Sequence, residues 1–102
     1  MYASVRRAKS SPGSTAEIAR RVEKEFVPII SGLPGFHEYY AIDAGNDVVV
    51  TVSIFHDRAG AEESNRRAAE WVKQALGSLL TTPLEFSTGE VVVHKAMQPA
   101  RP

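Results

Sequence analysis

The chain contains no cysteine, which removes disulfides, thiolate metal sites and a cysteine nucleophile from consideration. It carries no net charge either, since twelve Lys and Arg offset twelve Asp and Glu. A nucleic-acid binder shows an excess of clustered base instead. No apolar run approaches the roughly 18 residues that span a bilayer, and Met1 to Ser10 lacks a signal peptide's apolar stretch. Neither nucleic acid nor membrane is therefore an expected partner. What remains is 102 residues, 43% hydrophobic and 24% charged. That is too apolar for a disordered segment and the right length for one domain. A soluble, cytoplasmic single domain is the expectation.

Apolar and polar residues interleave from Tyr2 to Lys9, a strand that stops at the turn cluster Ser10-Ser11-Pro12-Gly13. Ser14-Thr15-Ala16-Glu17 reads as a capping box. A helix follows with Ile18, Val22, Phe26 and Ile29 at helical spacing, and Pro28 should kink or end it. Phe36 to Ala44 and Val48 to Phe55 form a hairpin around Gly45-Asn46-Asp47, residues that tolerate positive φ. Asp57 caps a second helix running to about Leu80. Ala61, Asn65, Ala68, Val72, Leu76 and Leu79 share one face of it, and Glu62–Arg66 and Glu63–Arg67 can pair along another. Glu90 to Lys95, around Val91-Val92-Val93, is the expected last strand. The tail from Ala96 to Pro102 has two prolines and little to bury, so it is expected to be flexible or an arm.

Strand, helix, strand, strand, helix, strand is the ferredoxin-like α+β order: a four-stranded antiparallel sheet with both helices on one face. Such a sheet should alternate apolar inward and polar outward, and Val48 to Phe55 does not. Placing Val48, Val50, Val52 and Ile54 under the helices leaves Val49, Thr51, Ser53 and Phe55 outside, too apolar for water. Burying one Val or Phe is worth about 1.5–3 kcal/mol, so a homodimer with its sheets face to face is expected.

Several motifs strengthen that expectation. Ser11-Pro12-Gly13-Ser14 enters the first helix, and Leu33-Pro34-Gly35-Phe36 enters the second strand with Tyr39-Tyr40 after it. Phe55-His56-Asp57 leads into the second helix, and Gly89-Glu90-Val91-Val92 marks the last strand. Together, over residues 1–95, they resemble the antibiotic-biosynthesis-monooxygenase-like domains of the dimeric α+β barrel superfamily. The resemblance implies a homodimer with a pocket between sheet and helices in each subunit. It also implies binding of a small aromatic molecule, either by a cofactor-independent monooxygenase of quinol-type substrates or by a non-enzymatic ligand-binding or interaction protein. Haem degradation, a third activity of the family, fits poorly. Those members use an Asn on the first strand and a Trp and a His on or after the second helix, where this chain has Arg6-Arg7 and Thr81-Thr82.

No pair among His37, His56 and His94 has helical ligand spacing, so no metal is expected, and no cofactor. With a three-residue turn Phe36 opposes His56, which would put the His37 and His56 rings on opposite sheet faces. His56 remains a candidate at the strand end. Tyr39 and Trp71 could line a pocket, Trp71 from the edge of its helix's apolar face, while Tyr40 reads as packing. In a cofactor-free oxygenase such groups would orient a phenolate and stabilise a peroxide. One of Arg6 and Arg7 must point to each face of a central strand, and a guanidinium inside must be paired. Glu38 or Glu90 would be the structural partner, a bound phenolate or carboxylate the functional one. Asn65, amid Ala61, Ala68 and Val72, either hydrogen-bonds the sheet or faces a ligand cavity. The substrate-binding candidates are thus Asn65, Trp71, Tyr39, Arg6 and His56, with no catalytic residue singled out.

Overall fold

A computed structural model of the chain describes residues 1–97. The expected tail, Ala96 to Pro102, lies outside the described residues except for Ala96 and Met97. Four strands, β1 (Tyr2–Lys9), β2 (Phe36–Asp43), β3 (Val48–Phe55) and β4 (Glu85–Glu90), form one antiparallel sheet in the order β2-β3-β1-β4. Helices α1 (Thr15–Arg21), α2 (Val27–Ser31) and α3 (Arg58–Ala75) cover one face. This is the ferredoxin-like α+β arrangement. Ile18, Val22, Phe26, Ile30, Phe55, Ala61, Ala68, Trp71 and Leu76 make the core.

The first helical arm departs from its expected form at both ends. Ser14 caps nothing, because its hydroxyl bonds that of Ser11 at 2.7 Å and the Glu17 carboxylate is taken by Arg20 and Arg21. Pro28 does not end the helix. Lacking an amide, it would leave the carbonyl four residues back unpaired in a regular helix. The chain instead makes a π-helical turn over Val22–Phe26, in which the Val27 amide reaches the Val22 carbonyl, and α2 then continues to Ser31. The wider turn suits a repeat of four residues, so Ile18, Val22, Phe26 and Ile30 all face the core, while Ile29, expected there, is exposed. Gly35, at φ +80, ends the connection. Its carbonyl accepts the His56 amide at 2.7 Å, and a Cβ there would press on His56.

The hairpin turn follows its chemistry, with Gly45, Asn46 and Asp47 all at positive φ. At the other end of the hairpin Phe36 pairs with Phe55 and not with His56 as expected, because a bulge puts an extra residue, His37, into β2. The bulge turns His37 so that its ring stacks on that of His56, centroids 6.4 Å apart. Asp57 does cap α3, accepting the Gly60 amide at 2.9 Å. The helix ends at Ala75, short of Leu80, and a 3₁₀ turn covers Gly77–Leu79. Glu63 pairs with both Arg66 and Arg67.

Two expectations about strands are overturned. The last strand is Glu85–Glu90, not Glu90–Lys95. Its register on β1 runs from Arg7–Glu85 to Tyr2–Glu90, so past Glu90 only Met1 is left to pair. The Val91 amide takes the Met1 carbonyl at 2.9 Å, and Val92 and Val93 stand 85% exposed. The faces of β3 are also reversed. Phe55 and Ser53 are buried beneath the helices, with Val49 and Thr51 on the same side. Alternation then sends Val48, Val50, Val52 and Ile54 to the open face. There Val52 pairs with Val5 and Tyr40, Val50 with Arg7 and Ile42, Ile54 with Ala3 and Glu38, and Val48 with Lys9. Tyr40, expected to pack, is 52% exposed there and donates to Glu38 at 2.7 Å.

Candidate functional site

The inner face of β1 alternates with its neighbours so that Ser4, Arg6 and Ala8 lie under the helices. Arg6 opposes Thr51 across the β1–β3 ladder and is 2% exposed. The expected ion pair with Glu38 or Glu90 does not form. Glu38 sits on the opposite face of the sheet beside Ile54, and Glu90 pairs with Tyr2 at the far end of β1. Neutral groups surround the guanidinium instead. Its Nε donates to Thr51 Oγ1 at 3.1 Å, its Nη1 to Ser64 Oγ at 3.3 Å and Asn65 Oδ1 at 2.8 Å, and its Nη2 to Ser53 Oγ. The Phe26 ring lies 6.0 Å from Cζ, within cation–π range. Desolvation lowers the Arg6 pKa, and the neighbouring Tyr39 works the other way.

Asn65 is part of this network. Its Oδ1 accepts from Ser4 Oγ as well as from Arg6, and its Nδ2 donates to Thr88 Oγ1 at 2.8 Å. One amide thus ties α3 to β1 and to the edge strand β4. Among the described residues no buried side-chain polar atom lacks a partner, as a buried network requires.

Beside the guanidinium, between sheet and helices, lies a cavity of about 40 Å3. Arg6, Tyr39, Thr51 and Trp71 are its polar lining, and Ile18, Val22, Phe26, Val49, Ala68, Val72, Leu76, Leu80 and Leu84 supply apolar walls. Tyr39 packs edge-on to Phe26, ring centroids 5.7 Å apart, and burial raises its phenol pKa although the Arg6 charge opposes that. Trp71 is 8% exposed, deeper than an edge position implies. Its ring meets Phe26 at 5.3 Å and its Nε1 donates to Glu25 at 3.3 Å. Glu25 and Phe26 both belong to the π-helical turn.

Of the five candidate residues, Arg6, Tyr39 and Trp71 border the cavity and Asn65 stands behind Arg6. His56 is exposed at the strand end with His37, away from the cavity lining. Ser4, Thr51, Ser53, Ser64 and Thr88, which hold Arg6 and Asn65, escaped sequence reasoning. The available signal was the small polar pair Thr51 and Ser53 at alternate positions of an otherwise apolar strand.

No protein-family model matches the chain, and no curated protein matches it. Solved structures do. A protein of unknown function from Nitrosomonas europaea superposes with a TM-score of 0.76 at 22% identity, over 96% of this chain and 95% of that one. The Streptomyces coelicolor monooxygenase ActVA-Orf6, in complex with nanaomycin D, gives 0.69 at 20% identity over 97% and 92%. SnoaB, a cofactor-independent oxygenase from Streptomyces nogalater, gives 0.70 at 17% over 91% and 94%. The chain has the fold of the antibiotic biosynthesis monooxygenase-like proteins. Among the described residues no helix is long and apolar enough to cross a membrane.

Proposed function

We propose that this chain forms a homodimer in which each subunit binds a small aromatic molecule between sheet and helices, and that it oxidises a quinol-type substrate with oxygen and no cofactor. The observation that carries the reading is the composition of the cavity. Aromatic faces from Phe26, Tyr39 and Trp71 surround a single cation, Arg6, within apolar walls. Aromatic walls with a few placed polar groups suit a flat, hydroxylated ring. In such chemistry the deprotonated substrate reduces oxygen itself, and the protein positions the ring and moves protons. Arg6 would hold a substrate oxygen. Tyr39, kept protonated by burial, would give a proton to a developing peroxide. The two similar oxygenases above support this assignment, and the apolar outer face of the sheet supports the dimer.

Oxygen consumption with a panel of quinols and anthrones tests the activity, with Tyr39→Phe and Trp71→Ala alongside. Uptake that falls at least about tenfold in either variant is expected, a loss of about 1.4 kcal/mol in transition-state stabilisation. No uptake with any member of the panel leaves the second reading, a non-enzymatic binding protein. The size of the cavity, about 40 Å3, favours the interaction role within that alternative, since ligand pockets usually run to about 300–1,000 Å3.

A further inference from the structure

His37 and His56 take no part in the function proposed above, yet the chain departs from regular structure twice to bring them together. Unbroken pairing would leave the two rings on opposite faces of the sheet. The bulge between Phe36 and Glu38 turns His37 to the side of His56, and bulges characteristically re-aim a side chain in this way. Gly35, at φ +80, then takes the His56 amide on its carbonyl at 2.7 Å, and a Cβ on Gly35 would stand only 3.3 Å from that of His56. A phenylalanine directly precedes each histidine. Phe36 and Phe55 pair across the strands with their rings edge-on at 5.7 Å, and Phe55 is fully buried. Both backbones are thereby anchored beneath imidazoles that remain exposed.

The two rings lie 6.4 Å apart between centroids, their planes inclined by 29°. None of the ion pairs among the described residues includes a histidine. The charged groups next to them in sequence are engaged elsewhere. Asp57 accepts the Gly60 amide, Glu38 accepts from the Tyr40 hydroxyl, and Arg58 lies over the Tyr2 ring at 5.5 Å. Neutral imidazole is a preferred ligand of zinc, copper and nickel. Two imidazoles on one tetrahedral ion, with metal–nitrogen bonds of about 2.0–2.1 Å, have ring centres about 5 Å apart. Closing the difference requires only rotation of exposed rings about χ2, which is a broad torsion in histidine.

We propose that His37 and His56 together chelate a divalent transition ion of the zinc, copper and nickel class at the end of the sheet. Among the described residues no group of three or more His, Cys, Asp or Glu could hold a metal, so water completes the coordination and the ion stays open to a further ligand. Spacing along the sequence gives no sign of the site, because the bulge creates it. The pair lies away from the cavity lining and binds its ion whether or not the cavity holds a guest.

Copper(II) titrated into the intact protein, in a buffer that does not itself bind metal, tests the chelate by calorimetry and by NMR of the histidine ring protons. Once one imidazole has bound the ion, the other is presented at high effective concentration, a gain of about a hundredfold or more. His37→Ala and His56→Ala should therefore each lower the affinity about a hundredfold. His94→Ala, which removes the third histidine, exposed beyond β4, should leave it unchanged. In the wild type the ring signals of His37 and His56 should broaden together at substoichiometric copper, ahead of His94. Wild-type affinity in either His37→Ala or His56→Ala overturns the chelate, and so does equal broadening of all three rings. A loss of affinity in His94→Ala overturns the placement of the site. Should a variant fail to fold, the order of broadening in the wild type decides alone.

Discussion

Beneath the helices the sheet presents Ser4, Arg6, Thr51 and Ser53 beside Ala8, Val49 and Phe55, while its open side presents Val5, Tyr40, Ile42, Val48, Val50, Val52 and Ile54 beside Arg7, Lys9 and Glu38. A sheet half-covered by helices ordinarily has its apolar side in and its polar side out. Both departures have a physical reading. Polar groups inside are tolerated because each finds a partner, and their collective effect is to hold one guanidinium at the wall of a cavity. Apolar groups outside form a contiguous patch that water solvates poorly, and such patches mark association sites. On the proposed function the inner face would serve a guest and the outer face a second copy of the chain.

The largest effect should come from charging the outer face. Val52 lies between Val5 and Tyr40 on that face. Val52→Lys removes a burial worth about 1.5–3 kcal/mol and does so twice in a twofold dimer. A loss of 3 kcal/mol or more raises the dimer dissociation constant by about a hundredfold or more, which sedimentation equilibrium would record. A wild type that sediments as an 11.1 kDa monomer at all concentrations would refute the function given to this face.

An apolar substitution on the inner face should do the reverse of what the usual rule expects. Ser53→Val restores regular alternation to β3, and on hydrophobicity alone it should stabilise the protein. The hydroxyl accepts from Arg6 Nη2, however, and a hydrogen bond to a charged group is worth about 1.5–3 kcal/mol. Denaturant unfolding should show a loss of that size. An unchanged or raised midpoint would mean that the network contributes nothing to stability.

The same reversal explains what could be read in the sequence. Order, hairpin and capping of α3 were legible because local chemistry sets them: three residues at positive φ in the turn, Asp57 before a helical period. The placement of the faces was not legible, because β3 is apolar at six of its eight positions and hydropathy favours Val48, Val50, Val52 and Ile54 for the core. Phe55 decides the matter by filling the space over Gly60, where even a Cβ would come within 2.7 Å of its ring. The fourth strand misled for a related reason. Val91-Val92-Val93 has the higher β-propensity, but Glu85–Glu90 has the partner, with Thr88 bonded to Ser4 and Asn65. In the site, Arg6, Tyr39 and Trp71 could be named from residue type and position. Their small polar supports could not, because a serine in a strand gives no sign of what it holds.

A smaller effect distinguishes a buried tyrosine from an exposed one across the same sheet. Burial raises the pKa of Tyr39 on the inner face, and the charge of Arg6 with hydrogen bonds from Thr51 and Arg6 only partly offsets this. The unfolded chain titrates near the ordinary tyrosine pKa of about 10, and the folded one above it. The folded state therefore holds the proton more tightly. The resulting stability is complete below the unfolded pKa and is lost as pH rises through the folded pKa. Tyr39→Phe removes this contribution, leaves the raised Tyr40 beside Glu38 in place, and takes from Arg6 the neighbour that opposes its desolvation. Melting temperatures followed across the alkaline range should fall more steeply for the wild type than for Tyr39→Phe. Parallel curves would show that the Tyr39 phenol ionises as freely under the helices as in water, and that the inner face is wetter than its packing implies.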